Sequence, residues 1–353
     1  RFLPLLLVAA LSMTTIASNG SNSNKNSNSN SNKNNNNDEY ANRNGIIPSI
    51  TIGFDVTNRA VEMPLIGAGT WQYNDTIAYQ SVCQAFAAGY TFVDTAFAYG
   101  NQKGVGRAIR DCWQGSREEL FVMTKIPGGL NATLVHATHQ QNLFQLGLDY
   151  VDHLMTHFPA DWAQTKASPR LRQDEWLALE NIYNAGQARS IGVSHYCPRH
   201  LDDILQVATV QPSINQVEYH VGSQDIDHVI EKCQQEGITF MSFSPLCGPC
   251  EYDPVDSLIH GALVTEIGAK YGKSGSQVSL RYIVQQALTR DDGAATSDAN
   301  ANNAMGSVIP KSNNAKHIQS NREIFDFQLS DEDMERLHAA TKPPPQAGDC
   351  NVP

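Results

Sequence analysis

Positive charge is scarce in this chain: 25 Lys and Arg stand against 36 Asp and Glu, a formal balance of −11 over 353 residues. A basic face for phosphate backbones is therefore missing, which excludes nucleic acid as a default partner. A long apolar run is also absent. The stretch from Phe2 to about Leu11, with a weaker tail to Ala17, is short for a bilayer-spanning helix, so no stable membrane span is expected. The seven cysteines (83, 112, 197, 233, 247, 250 and 350) fall at uneven spacing in a long chain, which argues against a disulfide framework. Glycine-rich phosphate loops are missing too: Gln72 stands where G-x-G-x-x-G would need its third glycine after Gly67 and Gly69, and the run from Gly268 to Ser274 is a residue short of a P-loop. Cys247-Gly-Pro-Cys250 has no second Cys pair or His pair beside it, so no metal is expected. That tetrapeptide is the thioredoxin redox motif, yet it lies in a loop. The plain reading is two loop thiols; the sharper ones are a regulatory disulfide or a thiol-disulfide oxidoreductase.

Residues 1–18 combine Arg1, an apolar stretch and the small Ala17, a signal-peptide-like segment. Residues 19–45 form a low-complexity Asn/Ser linker that cannot bury enough apolar area to offset chain entropy, and a disordered leader is expected. The secretory route, or an organelle reached through it, is the expected destination, and the cytoplasm if the leader does not function. Sequons stand at Asn19, Asn74 and Asn131 and matter only on the secretory route.

From residue 46 on, eight short β-branched runs alternate with helical periodicity, several helices ending in Gly. Strand alternating with helix means parallel pairing, and eight units in about three hundred residues fit an α/β fold, the (β/α)8 TIM barrel, in one domain over 46–350. The segment SITIGFDVTNRAVEMP ahead of it reads as an N-terminal β-hairpin plugging the barrel bottom. Ser274 to Gln277 reads as a helix capping box, and the stretch between Arg290 and Gly306 as a polar surface loop.

In such a barrel the site lies at the C-terminal strand ends. Those ends carry Trp71, Asp94, Lys125, His157, Ser194, His195, Gln216, Ser244, Lys311 and Ser312, with Tyr99 five residues past Asp94. One carboxylate, one ammonium, one phenol and one imidazole converge. An ammonium at contact distance would lower the phenol's pKa by as much as roughly three units, making Tyr99 a usable acid near neutrality. Asp94 would hold the lysine, and His157 would orient a carbonyl oxygen. His153, one layer deeper, reads as a hydrogen-bonded core residue, while His136 and His139 are expected on a helix surface.

GYTFVDTAFAYGNQKGVG (89–106), DHLMTHFP (152–159) and SVIPKSNNAKHIQSN (307–321), with TKIP and SFSPL between them, resemble the three signatures of the aldo-keto reductase family, including its diketogluconate-reductase-like and aldose-reductase-like members. The resemblance implies a barrel that uses NADPH (NADP+) to reduce aldehydes and ketones. It makes Tyr99 the general acid, Lys125 its partner, Asp94 the lysine's support and His157 the carbonyl-orienting donor. Trp71 and Phe158 would wall the substrate pocket, with Thr70, Ser194, His195, Gln216, Phe243, Ser244 and Leu246 on the nicotinamide and pyrophosphate side. Lys311, Ser312, Asn313, His317 and Asn321 would hold the adenosine phosphate end. His195 stands where the family has Asn, and His317 where it has an Arg that clamps the 2′-phosphate, so NADH is a possible second cofactor. A small-molecule carbonyl substrate and a monomer are expected. The alternative is an NADP-binding regulatory or structural barrel with little turnover.

Overall fold

The computed structural model describes residues 46–247, 257–288, 305–341 and 349–352. The signal-like segment, the Asn/Ser linker, Asn19, Cys250 and the polar stretch after Arg290 lie outside the described residues, apart from the start of β10. An antiparallel hairpin comes first, β1 (Ser49–Phe54) and β2 (Ala60–Pro64). Asp55 closes its turn, its carboxylate accepting from the Thr57 and Arg59 backbone N–H groups at 2.9 and 3.2 Å.

Eight parallel strands follow in sequence order: β3 (Ala68–Gly69), β4 (Phe92–Asp94), β5 (Phe121–Ile126), β6 (His153–Thr156), β7 (Ile191–Ser194), β8 (Ile214–Glu218), β9 (Thr239–Phe243) and β10 (Met305–Val308). Between them lie α1 (Asp75–Ala87), α2 (Gln102–Cys112), α3 (Ala132–Leu146), α4 (Pro169–Asn184), α5 (Pro198–Leu205), α6 (Val229–Gln235), α7 (Ala262–Tyr271) and α8 (Gly275–Leu288); α9 (Ala315–Arg322) and α10 (Asp331–His338) follow the last strand. A parallel bridge joins Ile66 to Val308, and the Gly67 N–H donates to the Val308 carbonyl at 2.9 Å. The sheet is thus strongly curled, as in a (β/α)8-like barrel.

Strand alternation builds two cores. On β5, Phe121 and Met123 join an inner cluster while Val122 and Ile126 join the outer one beneath the helices. Lys125 is the next inward position after Met123, so the same period that buries the methionine delivers the lysine to the interior. Ile52, Val61 and Met63 of the hairpin pack with Phe92, Phe121 and Ile214 in that inner cluster, so the hairpin covers the strand starts as expected. Met63 is fully buried, and Met63→Ala is expected to remove about 2–5 kcal/mol of stability, read from a denaturant midpoint.

The capping box stands as expected. The Ser274 N–H donates to Gln277 Oε1 at 2.9 Å and the Gln277 N–H to Ser274 Oγ at 3.3 Å. Tyr90 and His153 are core residues, the latter sharing a 2.8 Å hydrogen bond with Ser190 Oγ.

Two expectations are corrected. The cysteines do pair: Cys83 of α1 with Cys112 of α2, and Cys197 with Cys350, each with Cα atoms 5.4 Å apart. Cys247 is also disulfide-bonded. Uneven spacing along the chain misled because helix packing and a returning tail, not sequence periodicity, bring these thiols together. His139, expected on a surface, is fully buried with Nε2 3.3 Å from the Gln187 carbonyl.

Burial lowers the His139 and His200 pKa values from 6.5 to about 4. An unfolded chain takes up protons at these sites below about pH 6.5, whereas the folded one does so only near pH 4. Stability present above 6.5 should therefore be lost as the pH falls through this window, which urea midpoints across the window would measure.

Candidate active site

The inward residues at the strand ends meet around one buried cation. Lys125 Nζ donates to Asp94 Oδ2 at 2.5 Å, to the Thr95 carbonyl at 3.2 Å and to Tyr99 Oη at 3.3 Å. Gln216 Nε2 donates to the same Asp94 oxygen at 3.1 Å. Asp94 and Lys125 are fully enclosed, and leaving either without its partner would strand a buried charge, worth about 3–5 kcal/mol. Tyr99 reaches them from a short 3₁₀ turn, Phe97–Tyr99, that Gly100 ends in the left-handed region at φ 67. Because Lys125 donates to its oxygen, the Tyr99 hydroxyl hydrogen is left to point elsewhere.

The direction of the tyrosine's shift corrects the expectation from sequence. Burial first, and then the Asp94 carboxylate, push the Tyr99 pKa well above its ordinary value. The lysine does not pull it down, since its charge is balanced by Asp94 at 2.5 Å and the phenol faces a nearly neutral pair. Burial also lowers the Lys125 pKa, against the opposing pull of Asp94. His157 is pushed well below the usual imidazole range by burial, then by Lys125 and His195, so it is a neutral ring. It lies edge-on to Tyr99, ring centres 5.4 Å apart, and its Nδ1 has no protein partner.

A cleft of about 750 Å³ opens above this group. Trp71, Tyr99 and His157 line one part; Gln216, Phe243, Ser244, Leu246 and Lys311 line the rest. Thr70 is fully buried at its edge, Oγ1 donating to the Asp94 carbonyl at 2.9 Å. The His195 ring sits 4.7 Å from Phe243 and 5.4 Å from Phe158. Ser194 is behind the cleft, its hydroxyl donating to the Gln216 carbonyl at 2.8 Å. Lys311 Nζ donates to Gln72 Oε1 at 2.7 Å, with the Tyr73 ring 5.3 Å away. Ser312, Asn313, His317 and Asn321 are grouped at the start of α9 and on it, outside the cleft lining; Asn313 and His317 are exposed and Asn321 is buried.

Sequence reasoning missed part of the wall. Trp162 stacks on Phe158 at 5.3 Å and meets the His157 ring edge at 5.1 Å, and an aromatic shortly after a strand end was the available signal. Cys197 and Cys350 also line the cleft, which no local pattern announces. Glu218, His220 and Cys247 bring ligand-type atoms within 4.8 Å of one another, but the Cys247 sulfur is committed to a disulfide and offers no thiolate.

Residues 65–342 match the model of the aldo/keto reductase family. The chain belongs to that family. It is 33% identical over 289 residues to a glyoxal reductase of Bacillus subtilis, covering 81% of this chain and 91% of the relative. A D-galacturonate reductase of Hypocrea jecorina is 31% identical over 298 residues, 80% of this chain and 88% of that one. The fold superposes on an aldo-keto reductase enzyme from a Medee basin deep-sea metagenome library with a TM-score of 0.70 and 30% identity, over 86% of this chain and 99% of that one. This aldo/keto reductase is accordingly an oxidoreductase with an NADP(H)-binding fold, matched to carbonyl reduction by hydride transfer.

Proposed function

We propose that this aldo/keto reductase converts small polar aldehydes, aldehydic sugar derivatives among them, to alcohols, with NADPH as the preferred cofactor and Tyr99 as the acid. The observation that carries the reading is Lys125 bonded at once to Asp94 and Tyr99 beneath the cleft. Two relatives named for reduction of glyoxal and D-galacturonate support the substrate class.

Each side chain then has a task. His157, neutral and lining the cleft, donates to the carbonyl oxygen and sets its orientation. Tyr99 gives that oxygen its proton, and the Lys125 N–H that donates to the phenol oxygen turns the Tyr99 hydroxyl hydrogen away from the lysine, Lys125 itself being held in place by Asp94. Bound NADPH supplies the hydride. Trp71 and Trp162 line the cleft and exclude water, while Phe158, buried and outside the lining, backs Trp162 by stacking on it.

The donor set fits a dinucleotide phosphate. Phe243 offers a half-buried aromatic face beside His195, Gln216 an amide, and Lys311 a cation at the cleft's far end. The start of α9, where the Lys316 and His317 N–H groups donate to the Asn314 side chain and the Asn314 N–H to Ser312 Oγ, adds the positive end of a helix dipole near Ser312 and Asn313. Lys311→Ala is expected to raise KM for NADPH roughly tenfold or more, the worth of one charge-assisted hydrogen bond, with KM for NADH unchanged. His317→Arg should widen the NADPH preference. Following NADPH and NADH oxidation with a panel of aldehydes, ketones and keto-sugars tests the whole reading. Tight NADPH binding without turnover on any of them would return the chain to the regulatory alternative.

A further inference from the structure

We propose that Asn74 and Asn131 are N-glycosylation sites, which makes this a reductase that folds in an oxidising, glycan-transferring compartment. Both asparagines open a sequon, Asn74-Asp75-Thr76 and Asn131-Ala132-Thr133, and both hold the same structural post. Each is a helix N-cap: Asn74 Oδ1 accepts from the Ile77 N–H at 2.9 Å, and Asn131 Oδ1 from the Leu134 N–H at 3.0 Å. The cap therefore uses only the amide oxygen. Nδ2, the atom that carries a glycan, has no protein partner in either residue, and Asn74, Asn131, Thr76 and Thr133 are all exposed.

The chemistry leaves the caps intact. Nδ2 attacks the anomeric carbon of a lipid-linked oligosaccharyl diphosphate, a C–N bond forms, the C–O bond to the diphosphate breaks, and one Nδ2 proton departs. Oδ1 remains an acceptor throughout, so the Ile77 and Leu134 bonds survive. Neither asparagine lines the cleft, so a sugar at either position leaves the site open.

An independent observation points to the same compartment. Cys83 is joined to Cys112, Cys197 to Cys350, and Cys247 to a further residue. Such bonds persist where the redox poise is oxidising and are rare in the reducing cytosol, and the secretory route supplies both conditions, oxidation and glycan transfer. Cys83–Cys112 also staples α1, the helix that Asn74 caps, to α2.

The test is peptide mapping of the full chain made in a eukaryotic secretory host behind an established cleavable leader. Release with peptide-N-glycosidase in heavy-oxygen water is expected to mark Asn74 and Asn131 as labelled aspartates. Thr76→Ala and Thr133→Ala should each remove one glycan step from the intact mass while preserving the asparagine cap, so the thermal midpoint of the deglycosylated protein should not move. Unmarked asparagines in protein whose Cys83–Cys112 and Cys197–Cys350 bonds have formed would overturn the proposal. Free thiols at Cys83, Cys112, Cys197 and Cys350 in the protein isolated from its own cells would overturn it equally.

Discussion

Replacing Tyr99 with phenylalanine is expected to lower kcat for carbonyl reduction by about 10²- to 10⁴-fold, the usual contribution of a positioned general acid. The substitution deletes one oxygen, the one that accepts from Lys125 at 3.3 Å, and leaves the Asp94–Lys125 pair and the surrounding core in place. NADPH affinity and folding stability should therefore be nearly unchanged, which separates loss of the acid from loss of the site. The pH profile adds a second reading. Burial and Asp94 hold the Tyr99 pKa above its ordinary value, and the active form is the protonated one. Proton donation should then persist until the pH rises through that elevated pKa, giving a kcat that stays level from neutrality into the alkaline range. A tyrosine acidified by its lysine would instead lose activity around neutrality, and a decline centred there would reject this account of the pair.

Cys350→Ser, or mild reduction of the native chain, should have the next largest effect. Cys350 is bonded to Cys197, two residues past His195, and both cysteines line the cleft. Arg199 donates to the Cys350 carbonyl at 2.6 Å and also to the Val352 carbonyl, and His200 Nε2 donates to Val352 at 2.9 Å while its Nδ1 accepts from the Cys197 N–H. Val352 is buried with Phe158 and Ala160, so the tail is a cleft wall held by one covalent bond and three polar ones. Opening the 153-residue loop is expected to remove about 2–4 kcal/mol of stability, a fall of about 4–8 °C in Tm. Discrimination between small and bulky aldehydes should narrow at the same time, seen as converging kcat/KM values. Unchanged selectivity in protein shown to lack the bond would mean that Arg199 and His200 suffice to seat the tail.

Much of the site could be read from the chain because period-two alternation is local. Asp94, Lys125 and Gln216 are inward residues of otherwise apolar strands, and their polarity against that background marks the rim. What escaped the reading depends on distances between segments far apart in sequence. The Cys83–Cys112 bond follows from how α1 packs on α2, and Cys197–Cys350 from where a tail returns. Trp162 joins the wall through a loop whose course no periodicity dictates. The Tyr99 shift was misjudged for an electrostatic reason: placing an ammonium beside a phenol is not enough when a carboxylate at 2.5 Å already balances that charge. His139 was assigned to the outside because a helix period says which face a residue shares, not what a neighbouring chain segment lays over it.

The hairpin beneath the barrel governs traffic as well as stability. With Val61 and Met63 packed against Phe92 and Phe121, the strand starts are stoppered, and the cleft opens at the other end. Arriving aldehyde and departing alcohol must then share one doorway. Crowding with substrate should delay departures, so initial rates are expected to sag, not plateau, at the highest aldehyde concentrations.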